Sequence, residues 1–222
     1  MAWCGDTAID QGDFAEETLT FSLLLIFTSS CVIALSVALM PGPLLTVTIS
    51  ESTHRGAMAG PLMILGHGIL ELVLVLALLA GLAPFLRRDD VFIVIALVGG
   101  AILLWMAVSM FRSLPGLRLD LEPREGSGQN LVLAGILFSL ANPYWTIWWA
   151  SIGIGYIMHS VKFGVLGVAS FFTGHIFADL VWYAFVSFGI AKGKKYFSDT
   201  FYRRLIGGCA SFLLLFSCYF FW

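Results

Sequence analysis

Charged residues are scarce in this chain of 222 residues: they make up 12% of it, against about 25% in soluble domains. Apolar residues account for 59%, and the mean hydropathy is +0.92. A water-soluble fold could not bury this much apolar surface, so lipid is the expected solvent. The net charge of −2 gives no basis for a nucleic-acid partner, and none is predicted.

Several reactive motifs are also absent. The four cysteines form no C-x-x-C pair, and Cys31 and Cys209 lie in apolar runs, so neither a disulfide framework nor a thiol-redox site is expected. H-E-x-x-H and G-x-S-x-G are both missing, which removes the sequence basis for a zinc protease or a serine hydrolase. We therefore predict no enzyme activity and no cofactor. The first 18 residues contain no Lys or Arg, so the first apolar run is expected to be retained rather than cleaved as a signal peptide.

Long apolar runs dominate what is present. Six of them reach or approach the length of about 20 residues that one helical crossing of a membrane needs. They cover residues 18–50, 56–86, 91–111, 126–158, 163–191 and 205–222. The runs are continuous rather than alternating, which excludes a β-barrel. The sequence predicts an all-α integral membrane protein with six transmembrane helices, forming one domain over residues 1–222.

The connections between these runs differ in basic charge. One alternating set carries nine basic residues: Arg55, Arg112, Arg118, Arg124, Lys192, Lys194, Lys195, Arg203 and Arg204. The other set carries three, which are Arg87, Arg88 and Lys162. The positive-inside rule places the first set in the cytoplasm, so both termini are expected outside.

The second and fifth runs share a pattern. Residues 66–71 read G-H-G-I-L-E, and residues 174–179 read G-H-I-F-A-D. The same offset aligns the Gly-Gly pairs 99–100 and 207–208, and an offset of 100 aligns the prolines of the first and fourth runs. A unit of three spans inverts its second copy, and inverted repeats of this kind build many secondary transporters. We predict two halves, 18–112 and 130–222, joined by a Pro- and Gly-rich cytoplasmic linker at 113–129.

Two His-acid pairs carry the most distinctive chemistry. His67 and Glu71, like His175 and Asp179, stand four residues apart and therefore share a helix face. A carboxylate at the centre of a membrane helix costs about 2.5–3.5 kcal/mol, so these groups should face the protein interior or a wet cavity. We predict that they bind the solute or the coupling proton. The alternative is that each acid only hydrogen-bonds its own histidine and joins helices.

Two proline motifs interrupt the first and fourth spans. Pro41-Gly42-Pro43 should break the first helix, and Asn142-Pro143 the fourth, because proline removes a backbone donor and clashes with the preceding turn. Irregular backbone at membrane depth is tolerated only where it faces protein or water, so both breaks are predicted to line the site. The alternative is a kink needed for packing alone.

Aromatic residues near these motifs are candidates for the wall of a pocket. Trp145, Trp148 and Trp149 follow the second break, and Trp182 and Tyr183 lie three and four residues beyond Asp179. Their rings could hold an ammonium group by cation–π contact. Ordinary packing or a position in the membrane-interface belt is the alternative.

These motifs together resemble the LysE/RhtB family of amino-acid exporters. The resemblance rests on Pro41-Gly42-Pro43, on residues 142–145 (N-P-Y-W) and on residues 174–183, which run from Gly-His through Asp to Trp-Tyr. It implies a plasma-membrane protein that exports amino acids or similar metabolites at the expense of the proton gradient. Its partners would be the solute, protons and lipid.

One alternative function and one question of assembly stay open at this stage. Two histidines and two carboxylates could instead form the site of a divalent-metal exporter. In the leading hypothesis one half rocks against the other to give alternating access. No resident metal is predicted, and a homo-oligomer is compatible with the sequence.

Overall fold

The computed structural model describes residues 6–86, 88–117, 130–193, 196 and 198–221, and within them it contains helices and short connections but no strand. The α-helices are α1 (Asp6–Ala38), α2 (Pro43–Arg55), α3 (Ala59–Ala77), α4 (Ala83–Leu86), α5 (Asp89–Ser113), α6 (Leu131–Leu140), α7 (Pro143–Trp148), α8 (Ile154–Ser160), α9 (Gly164–Gly193) and α10 (Asp199–Phe221). Two π-helical turns, Leu78–Leu82 and Trp149–Gly153, continue α3 and α7. Most of the predicted linker, residues 118–129, lies outside the described residues, as do five of the basic residues used for orientation: Arg87, Arg118, Arg124, Lys194 and Lys195.

The described part of the chain contains five segments that are long and apolar enough to cross a membrane. They are Glu16–Ala38, Pro43–Phe85, Asp89–Gly116, Pro143–Gly193 and Asp199–Tyr219. The second and fourth have 43 and 51 residues, about twice the length of one crossing. The chain is therefore a multi-pass membrane protein. The count of six crossings and the outside position of both termini stay predictions.

Glycines with positive φ mark interruptions inside these two long segments. Gly56 has a φ of 80° where α2 ends, and Gly164 has a φ of 64° where α9 begins. Residues with a Cβ rarely adopt this backbone, so glycine suits both positions. These are the places where the predicted first and second spans, and the predicted fourth and fifth spans, adjoin.

Both proline motifs break their helices as the sequence predicts. α1 ends at Ala38 and α2 begins at Pro43, with Gly42 as an N-cap that supplies no side-chain acceptor. α6 ends at Leu140 and α7 begins at Pro143, where the Asn142 side chain accepts from the Tyr144 amide at 3.2 Å. The second break is thus capped by its own asparagine, and the first has no such cap.

The main helix contacts join the two predicted halves. α1 packs along α9, α3 packs against α6 and α9, and α5 packs along α10. Gly66 and Gly135 allow the closest approach: a Cβ on Gly66 would collide with the Val132 backbone, and one on Gly135 would collide with the Met63 backbone. The α3–α6 contact is therefore made backbone to backbone. It places the second span of one half beside the first span of the other.

Candidate functional site

The two His-acid pairs meet at one point inside the helix bundle. α3 supplies His67 and Glu71, and α9 supplies His175 and Asp179, all four of them buried. One donor atom from each residue lies within 4.8 Å of the corresponding atoms of the other three. Asp179 falls at the middle of α9, a helix of 30 residues and about 45 Å. The cluster therefore lies deep within the span, far from either end of the helix.

Each histidine reaches the acid of the other pair as well as its own. His67 Nε2 lies 3.1 Å from Glu71 Oε1 and 3.3 Å from Asp179 Oδ2. His175 Nε2 lies 3.3 Å from Glu71 Oε2 and 3.7 Å from Asp179 Oδ2. Two carboxylates and two imidazole nitrogens this close together require shared protons, because lone pairs facing one another repel. The four residues form one cluster rather than two separate pairs.

Glu71 has additional donors from the aromatic helix after the second break. Trp145 Nε1 donates to Glu71 Oε1 at 2.9 Å, and Trp149 Nε1 donates to the same oxygen at 3.0 Å. Hydrogen bonds to a carboxylate are stronger than those to a neutral acceptor. These two indoles therefore hold Glu71 in place.

The outer nitrogens of the two histidines have different neighbours. His67 Nδ1 lies 2.7 Å from Ser139 Oγ, and this hydroxyl lies 2.7 Å from the Gly135 carbonyl oxygen. His175 Nδ1 is buried and has no hydrogen-bond partner among the described residues. Its ring packs instead against Trp148, with the ring centroids 4.8 Å apart. The first histidine is thus anchored by a hydroxyl, and the second by aromatic packing.

A cavity of about 80 Å³ opens against this cluster. All four cluster residues line it, together with Ser139 and Trp148. At about 30 Å³ per water, it has room for two or three water molecules. A larger solute would need the surrounding helices to move apart.

The residues predicted from the sequence divide between this cavity and its surroundings. Those that line it are Gly42, His67, Glu71, Asn142, Trp145, His175, Asp179 and Tyr183. Pro41, Pro43, Pro143 and Trp182 are not among its lining residues. Pro143 packs on Gly99, and Trp182 stacks on Phe185 with the ring centroids 5.9 Å apart. At both breaks it is the residue before the helix, rather than its first proline, that borders the cavity.

Two contacts of the cluster were not predicted from the sequence. Trp149 was one of the candidate pocket aromatics, but its hydrogen bond to Glu71 was not foreseen. Its spacing of four residues from Trp145 is the signal that could have identified this contact. Ser139 anchors His67, and a serine three residues before the Asn142-Pro143 break was a weaker signal. Both are polar groups on apolar helices, and such groups need partners inside the protein.

Comparison with known proteins agrees with this architecture. The family described as LysE type translocator matches residues 35–222. The chain is also 26% identical over 196 residues to the chemotactic transduction protein ChpE of Pseudomonas aeruginosa, covering 86% of this chain and 95% of that protein. No solved structure matches the chain. The match over residues 35–222 includes both helix breaks and the whole His-acid cluster, and the chain belongs to the LysE type translocator family of membrane transporters.

Proposed function

We propose that this transporter exports amino acids or related small amino compounds across the plasma membrane in exchange for protons. The observation that carries the proposal is the convergence of Glu71 and Asp179, one from each predicted half, beside a cavity at mid-span. An ammonium group and a proton would compete for the same two carboxylates. Competition for one site couples two opposite fluxes, because the site cannot carry both in the same direction.

Buried polar atoms around the cavity suit a zwitterion. Trp148 Nε1 is a buried donor in no hydrogen bond among the described residues, and Glu71 Oε2 and Asp179 Oδ2 are buried acceptors that face histidine Nε2 atoms at 3.3 Å, with which they share protons. An unsatisfied buried polar atom costs about 1–3 kcal/mol, so a ligand that pairs with it gains affinity. An ammonium would satisfy the two oxygens, and a carboxylate would satisfy the indole.

The uncapped helix break supports the same ligand. α2 has 13 residues, and its N-terminal end lies at the cavity through Gly42 and Leu44. The N-terminal end of a helix carries unpaired amides and a partial positive charge, which favour a carboxylate. Broken helices present their ends to substrate in this way in several transporter folds.

The small volume of the cavity supports alternating access. With room for only two or three waters, it would admit a larger solute only if the surrounding helices moved apart. We propose that the helices open toward the cytoplasm to load solute and toward the outside to exchange it for a proton. The predicted inverted repeat would provide two related arrangements of the same helices.

A divalent-metal exporter is the second candidate, supported by the donor set itself. His67, Glu71, His175 and Asp179 place two imidazoles and two carboxylates within 4.8 Å, which is a set suited to transition metals. The Ser139 hydroxyl at His67 Nδ1 resembles the outer contacts that orient histidine ligands. Against it, two indole donors already occupy Glu71 Oε1.

Transport into inverted vesicles distinguishes the two candidates. Inverted vesicles containing the protein are incubated with a panel of labelled amino acids and amines, with and without a proton gradient, and uptake of the label is measured. Vesicles containing Glu71→Gln protein are the control. We expect gradient-driven uptake of at least one amino compound that the control lacks. Uptake of a divalent metal alone would support the second candidate, and no uptake of any amino compound would contradict the first.

A further inference from the structure

The hydroxyl of Ser139 sets the direction of the hydrogen bond at His67. Ser139 Oγ lies 2.7 Å from the Gly135 carbonyl oxygen, which can only accept. The single hydroxyl hydrogen therefore points to that carbonyl, since otherwise two oxygens would face each other without a proton. Toward His67 Nδ1, also at 2.7 Å, the hydroxyl oxygen must accept. His67 Nδ1 is consequently the donor and carries a hydrogen.

The opposite nitrogen of His67 is then the one that exchanges protons. With its hydrogen on Nδ1, a neutral His67 presents the lone pair of Nε2 to Glu71 Oε1 at 3.1 Å and to Asp179 Oδ2 at 3.3 Å. A lone pair and two carboxylates repel one another unless a proton lies between them. A proton on Nε2 bridges both acids at once. Its departure leaves the acids free for a cationic ligand.

We propose that Ser139 is a positioning residue that fixes the tautomer of His67, so that Nε2 is the atom that takes up and releases the exchanged proton. This inference rests on the proposed proton-coupled export. Ser139 acts through His67 and need not contact the solute. The hydroxyl holds the same Nδ1 hydrogen in the neutral and the cationic ring, so the exchange at Nε2 requires no ring flip.

Among the described residues around the cavity, one other basic side chain lies close to His67, and it belongs to His175. The titratable groups around the cavity are Glu71 on its own helix, His175, Asp179 and Tyr183 on α9, and Tyr144 on α7. α6 contributes only the uncharged Ser139. The titratable residues of α2 lie in its last two turns, where Glu51 and Arg55 pair at 2.8 Å. His175 is the one further base in the cluster, and its Nδ1 has no hydroxyl partner among the described residues.

The test combines a spectroscopic and a functional readout on the full-length protein. Ser139→Ala removes the acceptor, and Ser139→Thr keeps a hydroxyl at the same position. Ser30→Ala is the matched control, because Ser30 is equally buried and its hydroxyl donates to the Phe171 carbonyl at 2.7 Å, away from the cluster. Nitrogen-15 spectra of histidine-labelled protein report the tautomer, and a His67→Gln sample identifies the His67 signal among the four histidines. Gradient-driven uptake is measured across pH in parallel.

We expect the unmodified protein, Ser30→Ala and Ser139→Thr to show hydrogen on Nδ1 of neutral His67. Ser139→Ala should move that hydrogen to Nε2. The imidazolium then lacks an acceptor for one of its two hydrogens, so it binds the proton about tenfold less tightly. The pH of half-maximal transport should therefore fall by about one unit in Ser139→Ala alone.

Two results would overturn the inference. One is hydrogen on Nε2 of neutral His67 in the unmodified protein, and the other is a tautomer change in Ser139→Ala with an unchanged pH profile. Failure of the proposed function looks different: the unmodified protein would then show no gradient-driven uptake at any pH. That result would end the coupling role of His67, whereas the spectrum would still report separately whether Ser139 accepts from Nδ1.

Discussion

The two His-acid pairs have the same spacing but different surroundings. Glu71 receives two indole hydrogen bonds, whereas Asp179 Oδ2 faces the two histidine Nε2 atoms, at 3.3 and 3.7 Å. His67 is anchored by a hydroxyl, whereas His175 packs on a tryptophan ring. Related sequence motifs can therefore serve unequal tasks. The first acid is held in a fixed place by two indoles, and the second has no such indole contact among the described residues.

The two helix breaks differ in a parallel way. Asn142 caps α7 with its own side chain, and Gly42 leaves the N-terminal end of α2 without a side-chain acceptor. A cap satisfies amides that a ligand could otherwise use. The first half thus offers free backbone donors at the cavity, and the second half offers a finished helix end.

Removing either charge should have the largest effect on transport. We expect Glu71→Gln and Asp179→Asn each to reduce uptake roughly 100-fold, since hydrogen bonds to charged groups contribute about 1.5–3 kcal/mol. Glutamine can still accept from both indoles, so the thermal midpoint in detergent should change little for Glu71→Gln. Uptake that survives in both variants would contradict the assigned roles. Survival in only one would show that the two halves do not share the task.

The glycine contact between α3 and α6 should dominate stability. Gly66→Ala places a methyl group against the Val132 backbone and should destabilise the protein by about 2 kcal/mol, because overpacking typically costs 1–3 kcal/mol. Gly68→Ala is the matched control on the same helix, since its Cβ would meet the Ile176 side chain at an ordinary 3.5 Å. Thermal unfolding in detergent compares the two. Equal midpoints would show that the close contact does not form.

Removing one of the indole donors to Glu71 should have an intermediate effect on transport, smaller than the loss of a carboxylate charge. Trp149→Phe keeps the ring and removes one hydrogen bond to the carboxylate, so we expect apparent solute affinity to change by about tenfold. Trp182→Phe is the control, because its indole Nε1 donates no hydrogen bond among the described residues. Concentration dependence of uptake is the measurement. Identical curves for the two variants would contradict the role given to Trp149.

Changing the N-cap residues of α2 and α7 should have the smallest effects on stability and on solute affinity. Asn142→Ala should cost about 1 kcal/mol of stability, the usual loss when an N-cap is removed. Gly42→Asn gives α2 a cap like that of α7. The added Cβ would lie 3.5 Å from the side-chain nitrogen Nδ2 of Asn142, an ordinary contact. We expect this variant to be at least as stable as the unmodified protein but to bind solute a few-fold more weakly. Unchanged affinity would argue against carboxylate binding at the first break.

Sequence periodicity was sufficient for the helix faces but not for the contact between helices. The spacing of His67 and Glu71 predicted that they share a face, and the cost of a charge in lipid predicted that this face points inward. Nothing in the spacing says that α3 packs on α9 at the level of both pairs. That depends on the volumes of side chains on several helices, which a single sequence does not display.

The aromatic candidates show the same limit in finer detail. Tyr183 follows Asp179 by four residues and lines the cavity, whereas Trp182 follows it by three and packs on Phe185. These positions differ by about 100° around a helix, enough to move a ring from the cavity to the surrounding apolar cluster. Trp149 begins a π-helical turn, yet it keeps the helical spacing of four residues from Trp145 and donates to the same Glu71 oxygen.

The close contact at Gly66 and Gly135 has a mechanical consequence. It fastens α3 to α6, and α1 runs along α9 in the same manner, so each tight pair takes one helix from each predicted half. A motion that pulled the halves apart would have to separate the most closely packed backbones in the bundle. The bodies that tilt during a transport cycle are therefore expected to be mixed pairs of helices. The His-acid cluster, shared between α3 and α9, then lies between two of these bodies.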